Sequence, residues 1–145
     1  IMHEGIYGKD QSILNRALDI LDWSLERGWD TQYGGILYFV DVEGRPPEQL
    51  EHDMKLWWPH AEALYATLLA HHLTGEEKWL DWFEWVHTYT FSHFPDAEYG
   101  EWFGYLHRDG SVSLPLKGNM FKGPFHISRM LWLSLALLDK MVPEP

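Results

Sequence analysis

The chain has 145 residues and no cysteine. That excludes a disulfide framework and a thiol nucleophile, and it suits a reducing compartment. A cytoplasmic location is the expectation. Cations are scarce too: 11 Lys and Arg against 22 Asp and Glu leave a net charge of −11. With no long basic run, binding to nucleic acid or to an anionic membrane is not expected. No apolar run approaches the length of a membrane span, and no signal peptide is legible. The first residue is Ile1 rather than methionine, so an upstream segment, signal or domain is expected to be missing.

Aromatic residues are plentiful, at 16% of the chain with 9 Trp. Most of them belong in a core, but such side chains also suit a pocket that stacks on sugar rings. Helical spacing of apolar residues predicts four helices. The first is capped by Asp10 or Ser12 and runs to about Arg27; the second runs from Pro59 to about Leu73 and ends at Gly75. The third covers Glu76 to His93, and the fourth starts at Pro124 and ends near Met141, before Pro143. Two segments between them read as strands: Gly34 to Asp41, with a turn at Glu43-Gly44, and Trp102 to His107, followed by the hairpin signal Asp109-Gly110.

The two halves repeat. Tyr33-Gly34 and Tyr99-Gly100 each follow a helix and precede an aromatic strand, 66 residues apart. Each strand is followed by an acidic-Gly turn, a lysine (Lys55, Lys117), and then Pro and His at a helix start. Repeated helix–hairpin–helix units are the mark of a helical toroid or solenoid. Four helices cannot close such a ring, so one apolar face is expected to stay uncovered.

Two tracts could carry chemistry. In Lys117-Gly118-Asn119-Met120-Phe121-Lys122-Gly123-Pro124-Phe125-His126-Ile127-Ser128-Arg129, an irregular loop leads into a helix opened by Pro124. His126 sits in its first turn, where a helix N-terminus opposes imidazolium formation and favours a neutral proton acceptor. A histidine that only packs or caps fits the same position. The cations nearby bias the site toward anionic transition states. In Lys55-Leu56-Trp57-Trp58-Pro59-His60-Ala61-Glu62, Trp58 and Glu62 are four apart and share a helix face. A Trp beside a carboxylate suits a sugar; a core Trp with a solvated first-turn acid is the even alternative. Lys117 to Gly123 lacks the phosphate-loop spacing, and His71-His72 point apart on a helix, so neither a nucleotide loop nor a metal site is expected. The acids of Asp96 to Glu101 raise a glycosidase reading but more simply shape a turn.

Four ordered stretches give these tracts a context: Gly28-Trp29-Asp30 with Gly34-Gly35, Met54 to Glu62, Phe94-Pro95-Asp96 through Leu106, and Lys117 to Arg129. Together they resemble the C-terminal part of the N-acylglucosamine 2-epimerase family, nearly end to end. The resemblance implies an all-α fold, an (α/α)6 barrel or a C-terminal fragment of one, with short β-hairpins between helices. Residues 1–145 would form one part of a single barrel domain. It also implies interconversion of N-acetylglucosamine and N-acetylmannosamine by two histidines that exchange the C2 proton. On this alignment His126 is one of the two, Glu62 is an active-site carboxylate, and Trp58 lies at the sugar. Phe121, Lys122 and Arg129 join the substrate-binding set; Phe121 stands where cellobiose epimerases usually carry Trp, which favours the N-acylhexosamine branch.

The other family histidine lies in a Gly-His-x-x-Glu-type segment upstream of residue 1, as does an active-site Arg, and His3-Glu4 does not fit. The chain alone is therefore expected to lack a complete site. The expected partner is a small amino sugar, in a protein that can form a homodimer. No cofactor or metal is expected to be required, with ATP an allosteric effector by resemblance only. Rival readings are an epimerase or isomerase of mannose or cellobiose, a non-catalytic partner-binding module, and an unrelated toroid hydrolase or lyase that would use carboxylates.

Overall fold

The computed structural model describes residues 1–142. In chain order it contains α1 (Met2–Gly8), α2 (Gln11–Gly28), β1 (Lys55–Leu56), α3 (Trp57–Thr74), α4 (Glu77–His93), β2 (Tyr105–Leu106), β3 (Val112–Leu114) and α5 (Phe125–Met141). Pro143, expected to follow the last helix, lies outside the described residues. No described helix is long and apolar enough to cross a membrane.

Local chemistry sets the helix ends. The Asp10 carboxylate accepts from the backbone N–H groups of Ser12 (2.9 Å) and Ile13 (3.2 Å), two donors that the start of α2 leaves without partners. Helix α3 begins two residues before Pro59, not at it. The proline sits in the first turn, where no intrahelical N–H bond is lost. Gly75, with φ 70°, terminates α3 in the left-handed region. Helix α1 was not legible: it is short, holds two glycines, and has no side-chain cap.

Helix α3 is the centre of the fold, packed between α4 and α5. It buries residues on all its sides, Ala61, Leu64, Thr67, Leu68 and Ala70 among them. By contrast, α5 leaves Leu131, Trp132, Leu135 and Leu138 exposed along one side, with Trp132 at 73%. Trp23 and Ile20 of α2 are exposed as well. This is the uncovered apolar surface that the sequence predicts.

Short strands tie the two repeat units together. β1 of the first pairs antiparallel with β2 of the second, and β2 pairs with β3. The hairpin turn is longer than the Asp-Gly pair alone: His107 N–H bonds the Ser111 carbonyl at 2.8 Å, and Gly110 takes φ 88°. The strand expected over 34–41 does not form. Gly34 and Gly35, at φ 71° and 74°, fold the chain back. Beyond them Leu37 bonds to Gly28, whereas Tyr38 and Phe39 bond to Met54 and His52. A run that changes partner so often makes no ladder. The strand that does form, Lys55–Leu56, is too short to show a period.

The repeat extends to backbone hydrogen bonds at the same 66-residue offset. Asp30 N–H meets the Gly35 carbonyl at 2.9 Å, as Asp96 N–H meets that of Glu101 at 2.9 Å. Bridges join Trp29 to Ile36 and Pro95 to Trp102. Each aspartate accepts from the backbone two and three residues on. Each also holds a lysine: Lys55 to Asp30 at 2.9 Å and Lys117 to Asp96 at 2.5 Å. The first pair is fully buried, and Arg108 adds a second cation to Asp30. Burial pushes the Asp30 carboxyl up, but hydrogen bonds from Arg108 and Lys55 outweigh it and hold the group below the usual carboxylate range.

His60 completes the first unit. Its ring is fully buried; Nδ1 faces the Leu56 carbonyl at 2.7 Å, and Nε2 accepts the Ile36 N–H at 2.9 Å. Nδ1 therefore carries the proton. Burial lowers its pKa from 6.5 to about 3.

Two predictions follow from these contacts. A Cβ on Gly35 would lie 2.5 Å from the Tyr89 ring, whereas one on Gly100 would meet nothing within 4 Å. Both positions are left-handed. Gly100→Ala should cost roughly 1–2 kcal/mol in urea unfolding, and Gly35→Ala roughly 2–5 kcal/mol because overpacking adds to strain. Equal costs would contradict this account. Acid should also unfold the chain. Below pH 6.5 the unfolded His60 takes up a proton that the folded one refuses until about pH 3. Across that window stability should fall by up to roughly 1.4 kcal/mol per pH unit. Asp30 adds a loss at the lower end, where its unfolded form protonates first. His60→Gln, scanned by circular dichroism against pH, should flatten the upper part of that slope.

Candidate active site

The N-terminal ends of α3 and α5 lie side by side, and their side chains meet at Glu62 of α3. From α5, His126 Nδ1 is 2.9 Å from Glu62 Oε1, and Arg129 Nη1 donates to Oε2 at 2.5 Å. Both contacts are half-buried, with side-chain exposures of 32% to 34%. A carboxylate only accepts, so Nδ1 carries a proton, and in the neutral ring the lone pair is on Nε2. Glu62 thus fixes both the rotation and the tautomer of His126.

Aromatic rings frame the imidazole. Trp58 lies 5.9 Å away, tilted by 36°, and the buried Trp57 stands edge-on at 6.4 Å. Trp58 is four residues from Glu62, the same-face spacing expected of a helix. A hollow of about 860 Å³ opens in front of His126, walled by Trp57, Trp58, Tyr38, Tyr105, Asn119 and Phe121. A second, of about 920 Å³, is lined by Trp23, Tyr38, Trp58 and Glu62. Tyr38 and Trp58 border both.

The structure brings His126, Glu62, Trp58 and Phe121 to one place and sets the other two expected residues, Lys122 and Arg129, apart from the hollows. Lys122 does not face the hollow. Its side chain is buried and its ammonium is engaged by Glu101, at 2.8 and 2.6 Å, and by the Lys117 carbonyl at 2.7 Å. Arg129 lines neither hollow: Glu62 holds one edge of its guanidinium, and Tyr65 lies beneath it at 5.8 Å. Tyr38, Tyr105 and Asn119 were missed. The first two stand on the aromatic segments of the two repeat units, which was the available signal. Asn119 was visible only as a loop residue. Among the described residues no cluster of His, Asp or Glu could hold a metal ion.

His60 and His126 occupy the same place in the two units, 66 residues apart. The backbone uses both nitrogens of His60, whereas the Glu62 side chain meets Nδ1 of His126 and Nε2 makes no hydrogen bond among the described residues.

The model of the family described as N-acylglucosamine 2-epimerase (GlcNAc 2-epimerase) matches residues 2–127. The N-acylglucosamine 2-epimerase of Bos taurus is 50% identical over 115 residues, which are 79% of this chain and 27% of that protein. That of Homo sapiens is 48% identical over 118 residues, 81% of this chain and 28% of that protein. The chain therefore spans under a third of the length of these relatives. A solved structure of cellobiose 2-epimerase from Spirochaeta thermophila superposes with a TM-score of 0.76 at 25% identity, covering 97% of this chain and 34% of that one. The five helices and small sheet correspond to a portion of such an (α/α)6 barrel.

The tautomer can be read directly. In 15N-correlated NMR at neutral pH, the neutral forms of His60 and His126 should both carry the proton on Nδ1. Glu62→Gln should release this preference at His126 and leave His60 unchanged. A proton on Nε2 of His126 in the unaltered protein would contradict the geometry.

Proposed function

The chain belongs to the N-acylglucosamine 2-epimerase family, and from that premise we propose that it supplies one acid–base half of a sugar 2-epimerase site in a single barrel domain. The substrate pair proposed is N-acetylglucosamine and N-acetylmannosamine. The observation that carries the reading is the Glu62–His126 contact, with an unengaged Nε2 at the wall of an aromatic hollow.

The chemistry follows from the acidity of the substrate. A proton on the carbon beside an aldehyde is only weakly acidic, so a ring-opened sugar needs a positioned base and a stabilised enediolate. Nε2 of His126 takes the C2 proton, and Glu62 steadies the imidazolium that forms. Trp58 offers a flat apolar face to the sugar, and Phe121 bounds its far side. Returning the proton on the opposite face inverts C2. That needs a second base, which we assign to the histidine of the Gly-His-x-x-Glu-type segment. Protons alone move and no electrons leave the sugar, so the cycle draws on no redox cofactor. A cytoplasmic location and an ATP effector belong to the same reading; the cysteine-free composition suits the former.

Identity favours the N-acylhexosamine over other sugars: 50% to the bovine relative, against 25% to the cellobiose 2-epimerase structure. The test uses the whole protein that carries this chain. N-acetylmannosamine in D2O should exchange its C2 hydrogen, followed by proton NMR, and His126→Asn should slow this by at least about 10²-fold. Exchange at the unaltered rate would remove His126 from the mechanism. Running N-acetylglucosamine, mannose and cellobiose in parallel identifies the sugar.

A further inference from the structure

The loop from residue 115 to 124 carries Phe121 and delivers the chain to His126, yet it has no helix or strand of its own. Its tip faces outward: Met120 is 92% and Phe121 79% exposed. Something else must hold it. We infer that Glu101 and Lys122 form a positioning pair for the active site, acting through this loop on Phe121 and His126. The inference rests on the acid–base role proposed for His126.

Three observations converge on the pair. The first is the ammonium of Lys122, which is buried and fully bonded by both oxygens of Glu101 and by the Lys117 carbonyl. Its stem fills the space over Gly104, where a Cβ would come within 2.7 Å of Lys122 Cδ, and its ammonium lies 5.9 Å from the Trp57 ring centre. Pulling Lys122 out would thus open a gap against the same Trp57 that backs His126.

The second is the backbone at Glu101. It has φ 63°, one of two described non-glycine residues in the left-handed region. The equivalent position in the first unit is Gly35, which adopts the same conformation without strain. A side chain kept at a glycine position needs a use, and here its carboxylate reaches Lys122. The first unit lacks such a pair.

The third is where Lys122 stands in the loop. Phe121 is its neighbour on the hollow wall, and His126 is four residues beyond it, in the first turn of α5. The Asn119 side chain accepts from the N–H groups of Phe121 and Lys122, each at 2.8 Å, so the loop tip and its anchor move as one piece. Lys117, bonded to Asp96, pins the other end. Releasing the anchor would shift the sugar wall and the base together. A displacement of about 1 Å is enough to slow a positioned reaction roughly 10²-fold.

Glu101→Gly separates positioning from simple stability, because it removes the carboxylate while relieving the strained backbone. Rates are taken per folded molecule in the whole protein, with His126→Asn as reference. Glu101→Gly should lower kcat for C2 exchange roughly tenfold or more and raise KM for the sugar several-fold, with a melting temperature close to that of the unaltered protein. Glu101→Gln should fall between the two, and it is read by the same criteria if Glu101→Gly does not fold. If kcat and KM stay within twofold of the unaltered protein while His126→Asn is inactive, the pair is not positioning the site and the inference is overturned. If His126→Asn remains active, the underlying reading fails and this inference falls with it.

Discussion

Glu62 joins the two helices from which the site is made. One oxygen meets His126 and the other Arg129, one helical turn apart on α5, while Glu62 itself belongs to α3. A carboxylate shared in this way fixes the rotation of α5 against α3 and the tautomer of His126 in a single contact. The hollow, the ring of Trp58 and the outward Nε2 all take their positions from it. Half-burial matters here. Each partner keeps some solvent, so desolvation is modest, yet the bonds are shielded enough to be directional.

Behind this joint lies a duplicated frame. In both units an aspartate caps a tight turn and holds a lysine, and a histidine follows at the start of the next helix. The first copy is closed: Lys55 and His60 are buried, and each of their polar atoms is used by the chain itself. In the second copy residues 115–124, with no helix or strand, precede the helix where β1 adjoins α3 in the first, and its histidine turns to a side chain instead of the backbone. One scaffold thus yields a structural histidine and a chemical one. The difference lies in what the neighbouring loop leaves unfilled.

Much of this was legible in the sequence. Helix spacing gave the long helices and the uncovered face, but of the two hairpins expected from the 66-residue repeat only the second, β2–β3, forms. Trp58, Glu62 and His126 stood out by position at two helix starts. What could not be read were contacts that depend on three-dimensional closure. Lys122 is a cation in a glycine-rich loop, and sequence places such a residue at a ligand; only the fold shows it turning inward to Glu101. Arg129 likewise serves Glu62 and lines neither hollow. The segment after Gly35 has strand composition, but its hydrogen-bond partners change within three residues, a property no period reveals. His60 and His126 look alike in sequence because the repeat makes them so.

The most direct test of Glu62 as the organising contact is the rate of C2 hydrogen exchange in D2O for Glu62→Gln in the whole protein. The amide keeps the shape of the side chain but loses the charge that holds His126 and Arg129. Exchange should fall by roughly 10²-fold or more in a protein that remains folded. Exchange at the unaltered rate, with His126 still held in its Nδ1–H tautomer, would contradict the account.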